Sequence, residues 1–294
     1  MGTVVEGADG VALNVEIDGP ASAPVTVVLC HGWTLDGRTW SPVARALVCR
    51  PDPVRVVRPD HRGHGRSAAV DPATMTLEQL ADDLAAVIER TAPSGPLVLG
   101  GHSMGGMTLM ALAERHPEVY GRVVGVGLVS TASGGLAQSP LVRPFRAYAA
   151  ALAGERRLRS SMRRVQRSRM GTARVQRPGL RWLLLGRNAP ADAQRITFEA
   201  VGACRLETFT GFQPALSAHE RDAALATFAS IPTVVMVGTH DRLTPVALTR
   251  RIGDALPSAE VVVLPGAGHM VPVERVDDVA ARIGVLVARR PVAV

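Results

Sequence analysis

Pro96-Leu97-Val98-Leu99-Gly100-Gly101-His102-Ser103-Met104-Gly105-Gly106 is the stretch that decides how this 294-residue chain is read. An apolar run over 97–100 enters Gly101-x-Ser103-x-Gly105, and a helical pattern over 103–115 follows at once. That is the strand–turn–helix context a nucleophile elbow requires. A serine on so sharp a turn brings neighbouring side chains two residues away into collision. Glycine at 101 and 105 removes the collision and lets Ser103 Oγ project from the sheet. The N–H of Met104, at the helix start, then faces a developing oxyanion. A glycine-rich tight turn is the plain alternative.

A serine needs a base, and the base an orienting acid, so the rest of the chain must supply both. Valine-rich runs at 25–29, 54–57, 97–100, 123–129, 233–237 and 261–264 read as strands buried on both faces. Helical patterns lie between them, at 77–92, 103–115, 245–256 and 273–289. The first carries apolar residues at 77, 80, 81, 84, 87 and 88, with Thr76 and Gln79 as a capping box. Residues 3–6 and 11–17 flank Ala8-Asp9-Gly10 as a β-hairpin. The pattern predicts an α/β fold, a mostly parallel twisted sheet with helices on both faces. Alternation fails over 137–222, which reads as a helical cap inserted into a core made of 1–136 and 223–294.

On this frame His269 sits in the glycine-rich loop Gly266-Ala267-Gly268-His269-Met270, just past the run 261–264. Asp241, in Gly238-Thr239-His240-Asp241, follows the run 233–237. The order Ser103, Asp241, His269 belongs to one triad topology among several. An acid recruited from another strand end stays open. After the run 25–29 comes Cys30-His31-Gly32-Trp33, whose turn at Gly32 offers the Trp33 N–H as a second oxyanion donor.

The net charge is 33 − 26 = +7, and all 33 basic residues are arginine. Eleven of them fall in 156–187, which has no Asp or Glu, so the charge describes one segment and not a nucleic-acid-binding protein. Leu158, Met162 and Val165 give that segment one apolar stripe. Its arginines are read as a solvated surface, with an anionic membrane or nucleic-acid patch and an anionic substrate group as the other readings. Cys30, Cys49 and Cys204 have no C-x-x-C spacing, which argues against a disulfide framework or zinc site and for small buried residues in a reducing compartment. No H-E-x-x-H or similar cluster predicts a metal, and no cofactor is implied. Without a signal-peptide pattern or a run of ~20 apolar residues, the chain reads as cytoplasmic, with no stable membrane insertion. His31, His61, His64 and His102 are expected to brace loops, and His240 to point away from the acid's side. His116, before Pro117, suits the end of a helix.

His31-Gly32-Trp33, Asp60-x-Arg62-Gly63-x-Gly65-x-Ser67, Gly101 to Gly106, Gly238-Thr239-His240-Asp241 and Gly268-His269 together resemble the α/β-hydrolase superfamily. The nearest branch is that of cap-bearing esterases, haloperoxidases and lactonases, and the likeness covers 1–136 and 223–294. It implies Ser103 as nucleophile, His269 as base and Asp241 as acid. It also implies an oxyanion hole of the Trp33 and Met104 amides, and substrate contacts from Trp33, Met104 and Met270. The expected partner is a small-molecule substrate: a largely apolar carboxylic ester, thioester or lactone, cleaved through an acyl-enzyme. C–C bond hydrolysis, perhydrolysis, a biosynthetic cyclisation, or a ligand receptor with a weakly active triad are the alternatives. No substrate motif stands in 137–222. Its Phe145, Tyr148, Trp182 and Phe212 are expected to pack or to line a pocket.

Overall fold

A computed structural model describes residues 2–136 and 177–289. The expected hairpin forms from β1 (Gly2–Glu6) and β2 (Ala12–Asp18), with Gly10 at φ +83° in the turn. Next come β3 (Thr26–Cys30), β4 (Arg55–Pro59), β5 (Leu97–His102), β6 (Val123–Val129), β7 (Thr233–Gly238) and β8 (Glu260–Leu264). All eight join one sheet in the order β1-β2-β4-β3-β5-β6-β7-β8. β1 and β2 pair antiparallel with each other, as do β2 and β4; every later pairing is parallel.

β3, β5 and β7 are buried along their whole length, as continuous apolar runs predict. β8 is the exception. It lies at the sheet edge, and Val261 and Val263 are 40% and 37% exposed. A valine run reports strand propensity, whereas burial on both faces also needs a neighbour on each side. Position in the sheet is not written in the run itself.

Helices cover both faces. α1 (Ser41–Val48) and the helix Val276–Ala288 pack on one side of the sheet, α2 (Leu77–Thr91) and α3 (Met104–Arg115) on the other. Thr76 Oγ1 accepts the Gln79 N–H at 3.1 Å, the N-cap bond expected of the capping box. The C-terminal helix starts later than its pattern suggests, because Val271–Glu274 forms a separate turn and Arg275 breaks from helical geometry.

Among the described residues between β6 and β7 there is no strand. Helices run over 177–184, Ala191–Ala203, Leu206–Gly211 and Gln213–Ser217. Leu184, Leu185, Ala189, Ala193, Ile196 and Ala200 form an apolar cluster with Leu35, Met270 and Val273, so this segment packs on loops that follow β3 and β8. Phe145, Tyr148, the Leu158–Met162–Val165 stripe and most of the arginine run lie outside the described residues. Trp182 is not part of the core: it is 55% exposed, with the Arg242 guanidinium 4.5 Å over its ring. Phe212 is wholly buried in the main core beside His64. Only Cys30 meets the expectation of a buried cysteine; Cys49 is exposed and Cys204 half-buried. No helix among the described residues is long and apolar enough to cross a membrane.

Candidate active site

Ser103 stands between β5 and α3 with φ 53° and ψ −120°, a left-handed backbone that few side chains adopt. The end of β6 and the loop after it hold it there: its N–H donates to Val129 O at 3.0 Å, and its carbonyl accepts Thr131 Oγ1 at 2.7 Å. A Cβ at Gly101 would fall 2.5 Å from Gly106 N, which is the collision the spacing predicts. At Gly105 the reason differs, since a Cβ there would lie 2.2 Å from Cys30 O at the end of β3. Met104 opens the helix, so its N–H belongs to the first turn, where no intrahelical acceptor exists.

The turn after β3 lies against the nucleophile. A Cβ at Gly32 would come within 3.1 Å of both Ser103 Cβ and His102 Nδ1. Trp33, next in the chain, is half-buried; its indole stacks on Phe209 at 4.8 Å and its Nε1 approaches the Thr208 carbonyl at 3.5 Å. Met104 and Met270 are wholly buried, in the main core and in the cluster beneath residues 184–200 respectively.

Histidines brace these loops as expected. His31 Nδ1 donates to Gly32 O at 2.8 Å while its Nε2 accepts the His61 N–H at 2.9 Å, which fixes the tautomer. His61 Nε2 donates to His31 O, and His64 Nε2 accepts the Thr34 N–H at 3.2 Å. Asp60 gathers the Gly37 and Arg66 amides and the Asn14 side chain at 2.7–2.9 Å. Arg62 is fully buried between Asp83 and Asp9. These residues frame the site.

Burial pushes His61 and His219 down to about 4, His64 and His102 to about 3, and His31 well below its ordinary value of 6.5. Once unfolded, each takes up a proton near 6.5. Between that value and the folded one the unfolded chain binds more protons, so stability falls as pH falls, by about 1.4 kcal/mol per pH unit for each histidine. Burial raises Asp60, Asp83 and Glu274, which acts in the opposite sense but with fewer groups. The unfolding temperature is therefore expected to drop steeply below pH ~6.5 in a thermal series from pH 8 to 5. A flat profile would contradict the buried neutral cluster.

His269 and Asp241 meet directly. His269 Nδ1 lies 2.9 Å from Asp241 Oδ2 and 3.0 Å from Oδ1. Asp241 Oδ1 accepts the Leu243 and Thr244 amides at 3.0 and 2.8 Å, and Oδ2 accepts Thr244 Oγ1 at 2.8 Å. Burial alone would raise this carboxyl, but attraction to His269 and the bonds from His269 and Thr244 outweigh it and hold it below the usual range. An ionised Asp241 only accepts, so in the neutral imidazole His269 Nδ1 is the donor and Nε2 carries the lone pair. That lone pair is what a general base needs. His240 has its Nδ1 3.2 Å from Thr239 Oγ1. His102, one residue before Ser103, donates from Nε2 to the His269 carbonyl at 2.9 Å and ties the elbow to the base loop.

Two residues here escaped the sequence reading. Thr244 binds Asp241 with both its amide and its hydroxyl, and the D-x-x-T spacing was a readable turn signal. Glu274 turns its carboxylate back onto the histidine loop, for which no short motif gives notice. Among the described residues no group of three or more His, Cys, Asp or Glu could hold a metal ion.

Residues 27–282 match the model of the Alpha/beta hydrolase family. A protein of Caulobacter sp. (strain K31) described as "Putative carbamate hydrolase RutD" is 28% identical over 259 residues, covering 85% of this chain and 86% of that protein. The enol-lactonase from Burkholderia xenovorans LB400 has a TM-score of 0.74 at 26% identity, covering 97% of this chain and 100% of its own. A thermophilic esterase from Thermogutta terrifontis shares the fold at TM-score 0.74 and 24% identity, over 98% of each chain. The family match spans the strands that carry Ser103, Asp241 and His269. This chain belongs to the alpha/beta hydrolase family of enzymes.

Proposed function

We propose that the protein is a serine hydrolase that cleaves a carboxylic ester, thioester or lactone of a small, largely apolar substrate through an acyl-enzyme on Ser103. One observation carries this reading: an ionised, buried Asp241 holds His269 by Nδ1, at the end of the strand β8, while β5 delivers Ser103 on a strained turn. His269 Nε2 takes the proton of Ser103 Oγ as Oγ attacks the carbonyl carbon. The amides of Met104 and Trp33 receive the negative charge that builds on the carbonyl oxygen. His269 returns the proton to the leaving group, then deprotonates the water that frees the acid. No step calls for a metal or cofactor.

Similarity to an esterase and an enol-lactonase supports the oxygen-ester class, and the carbamate-hydrolase relative extends the range to neighbouring acyl groups. Residues 177–222, the described part of the insertion between β6 and β7, are read as belonging to a cap over the strand ends. The packing of 184–200 on Leu35, Met270 and Val273 supports this, because those residues border the loops of Trp33 and His269. Trp33 and Phe209 together present a half-buried aromatic pair beside the elbow, which suits an apolar acyl or alcohol group.

A fluorophosphonate label followed by a panel of p-nitrophenyl acyl esters tests the proposal. Labelling of one serine, located at Ser103 by peptide mapping, together with ester turnover is expected. Absence of label in folded protein would remove the acyl-enzyme, and labelling without turnover of any acyl compound would favour a receptor.

A further inference from the structure

Glu274 ends the short turn Val271–Glu274, and its carboxylate points back across the loop that carries the base. Oε1 accepts the Gly268 N–H at 3.0 Å and the Met270 N–H at 3.2 Å, the amides on either side of His269. Oε2 accepts the Gly186 N–H at 2.8 Å, from the segment between β6 and β7. The same segment supplies two further bonds. Leu184 O accepts the His269 N–H at 2.9 Å and the Met270 N–H at 3.2 Å. With His102 on the His269 carbonyl, both backbone polar groups of the base are fixed from outside its own loop.

The contact is close enough to need glycine on both sides. A Cβ at Gly268 would lie 2.5 Å from Gly186 N and from Leu185 C, and one at Gly186 would lie 2.1 Å from Gly266 O. Backbone therefore meets backbone along 184–186 and 266–270. A carboxylate suits the junction because it is acceptor-only, with room for several N–H groups on two oxygens. Glutamine would turn a donor toward one of those amides. Arg242 adds a second tie, donating to the Trp182 carbonyl at 2.6 Å from the residue after Asp241.

We propose that Glu274, by clamping the amides of Gly268 and Met270 to that of Gly186, is the positioning residue that holds His269 in line for proton transfer. The segment 184–186 is then part of the catalytic scaffold as well as of the cover over the site. This rests on the assignment of His269 as base.

The test compares the wild type with Glu274→Gln in three measurements: fluorophosphonate acylation rate, steady-state ester hydrolysis, and amide exchange at Gly268 and Met270. Faster exchange at both amides is expected, with acylation rate and kcat lowered about 10–100-fold and KM changed less than about 2-fold. A merely structural residue would lower the unfolding temperature and leave kcat per folded molecule intact, and that result overturns the proposal. If Glu274→Gln does not fold, Glu274→Asp keeps the charge and withdraws the carboxylate by one methylene; the same losses are expected and the same null result overturns. Wild-type protein inert to label and esters would bring down the base assignment, and this proposal with it. An active wild type with an equally active variant would bring down this proposal alone.

Discussion

Ser103→Ala is expected to lower ester turnover by at least ~10³-fold and to abolish fluorophosphonate labelling, while the protein stays folded. Alanine inherits the positive φ of Ser103, so the elbow keeps the backbone strain it already bears. The Val129 and Thr131 bonds that hold this residue run to its backbone and survive the change. What disappears is the atom that forms the covalent bond. The amides of Met104 and Trp33, the proposed oxyanion hole, remain, which is expected to leave a floor above the uncatalysed rate. Kinetics on pure variant protein, with an unfolding temperature near that of the wild type, check the outcome. Near-normal turnover would end the Ser103 assignment.

The second large effect concerns the acid. Asp241→Asn is expected to lower kcat by about 10²–10⁴-fold with little change in KM. Asparagine fills the same volume and its Oδ1 can still accept the Leu243 and Thr244 amides. Its NH2 group, however, would face His269 Nδ1, which now lies within 3.0 Å of both carboxylate oxygens. To meet a donor, Nδ1 must give up its proton, and the proton then sits on Nε2. The base would present a hydrogen where Ser103 needs a lone pair. Imidazolium formed during attack would also lose its buried counter-charge. A harmless Asp241→Asn would mean the acid comes from another strand end.

The fold was legible because its core strands are short valine runs and its turns carry glycine where geometry demands it. Ser103, Asp241 and His269 were singled out as candidates for one shared reason: each follows such a run. The failures have a common cause too. β8 reads like β7 in composition, yet sits at an edge, and which strand lacks a neighbour depends on pairing across the whole sheet. Trp182 reads as a packing or pocket residue, yet it stays largely exposed with Arg242, some sixty residues away in the chain, over one face of its ring. Cys49 ends a surface helix, where its small apolar side chain is left exposed. Glu274 looks like one of several acidic residues near a helix start. Its role arises because residues 184–186 return to the histidine loop, a long-range approach that no local pattern encodes.

That approach bears on how such proteins can be recombined. A stretch between two strands is ordinarily the freest part of a chain to exchange, since the framework closes without it. Here the seam between Gly186 and Gly266–Met270 makes the middle of the exchangeable piece common property with the framework. A foreign replacement joined upstream of Leu184 would leave the seam whole. One joined downstream of Gly186 would carry off three of the contacts that keep the histidine loop in place. Lineages that borrow new covers should therefore show their crossover points on the near side of this seam.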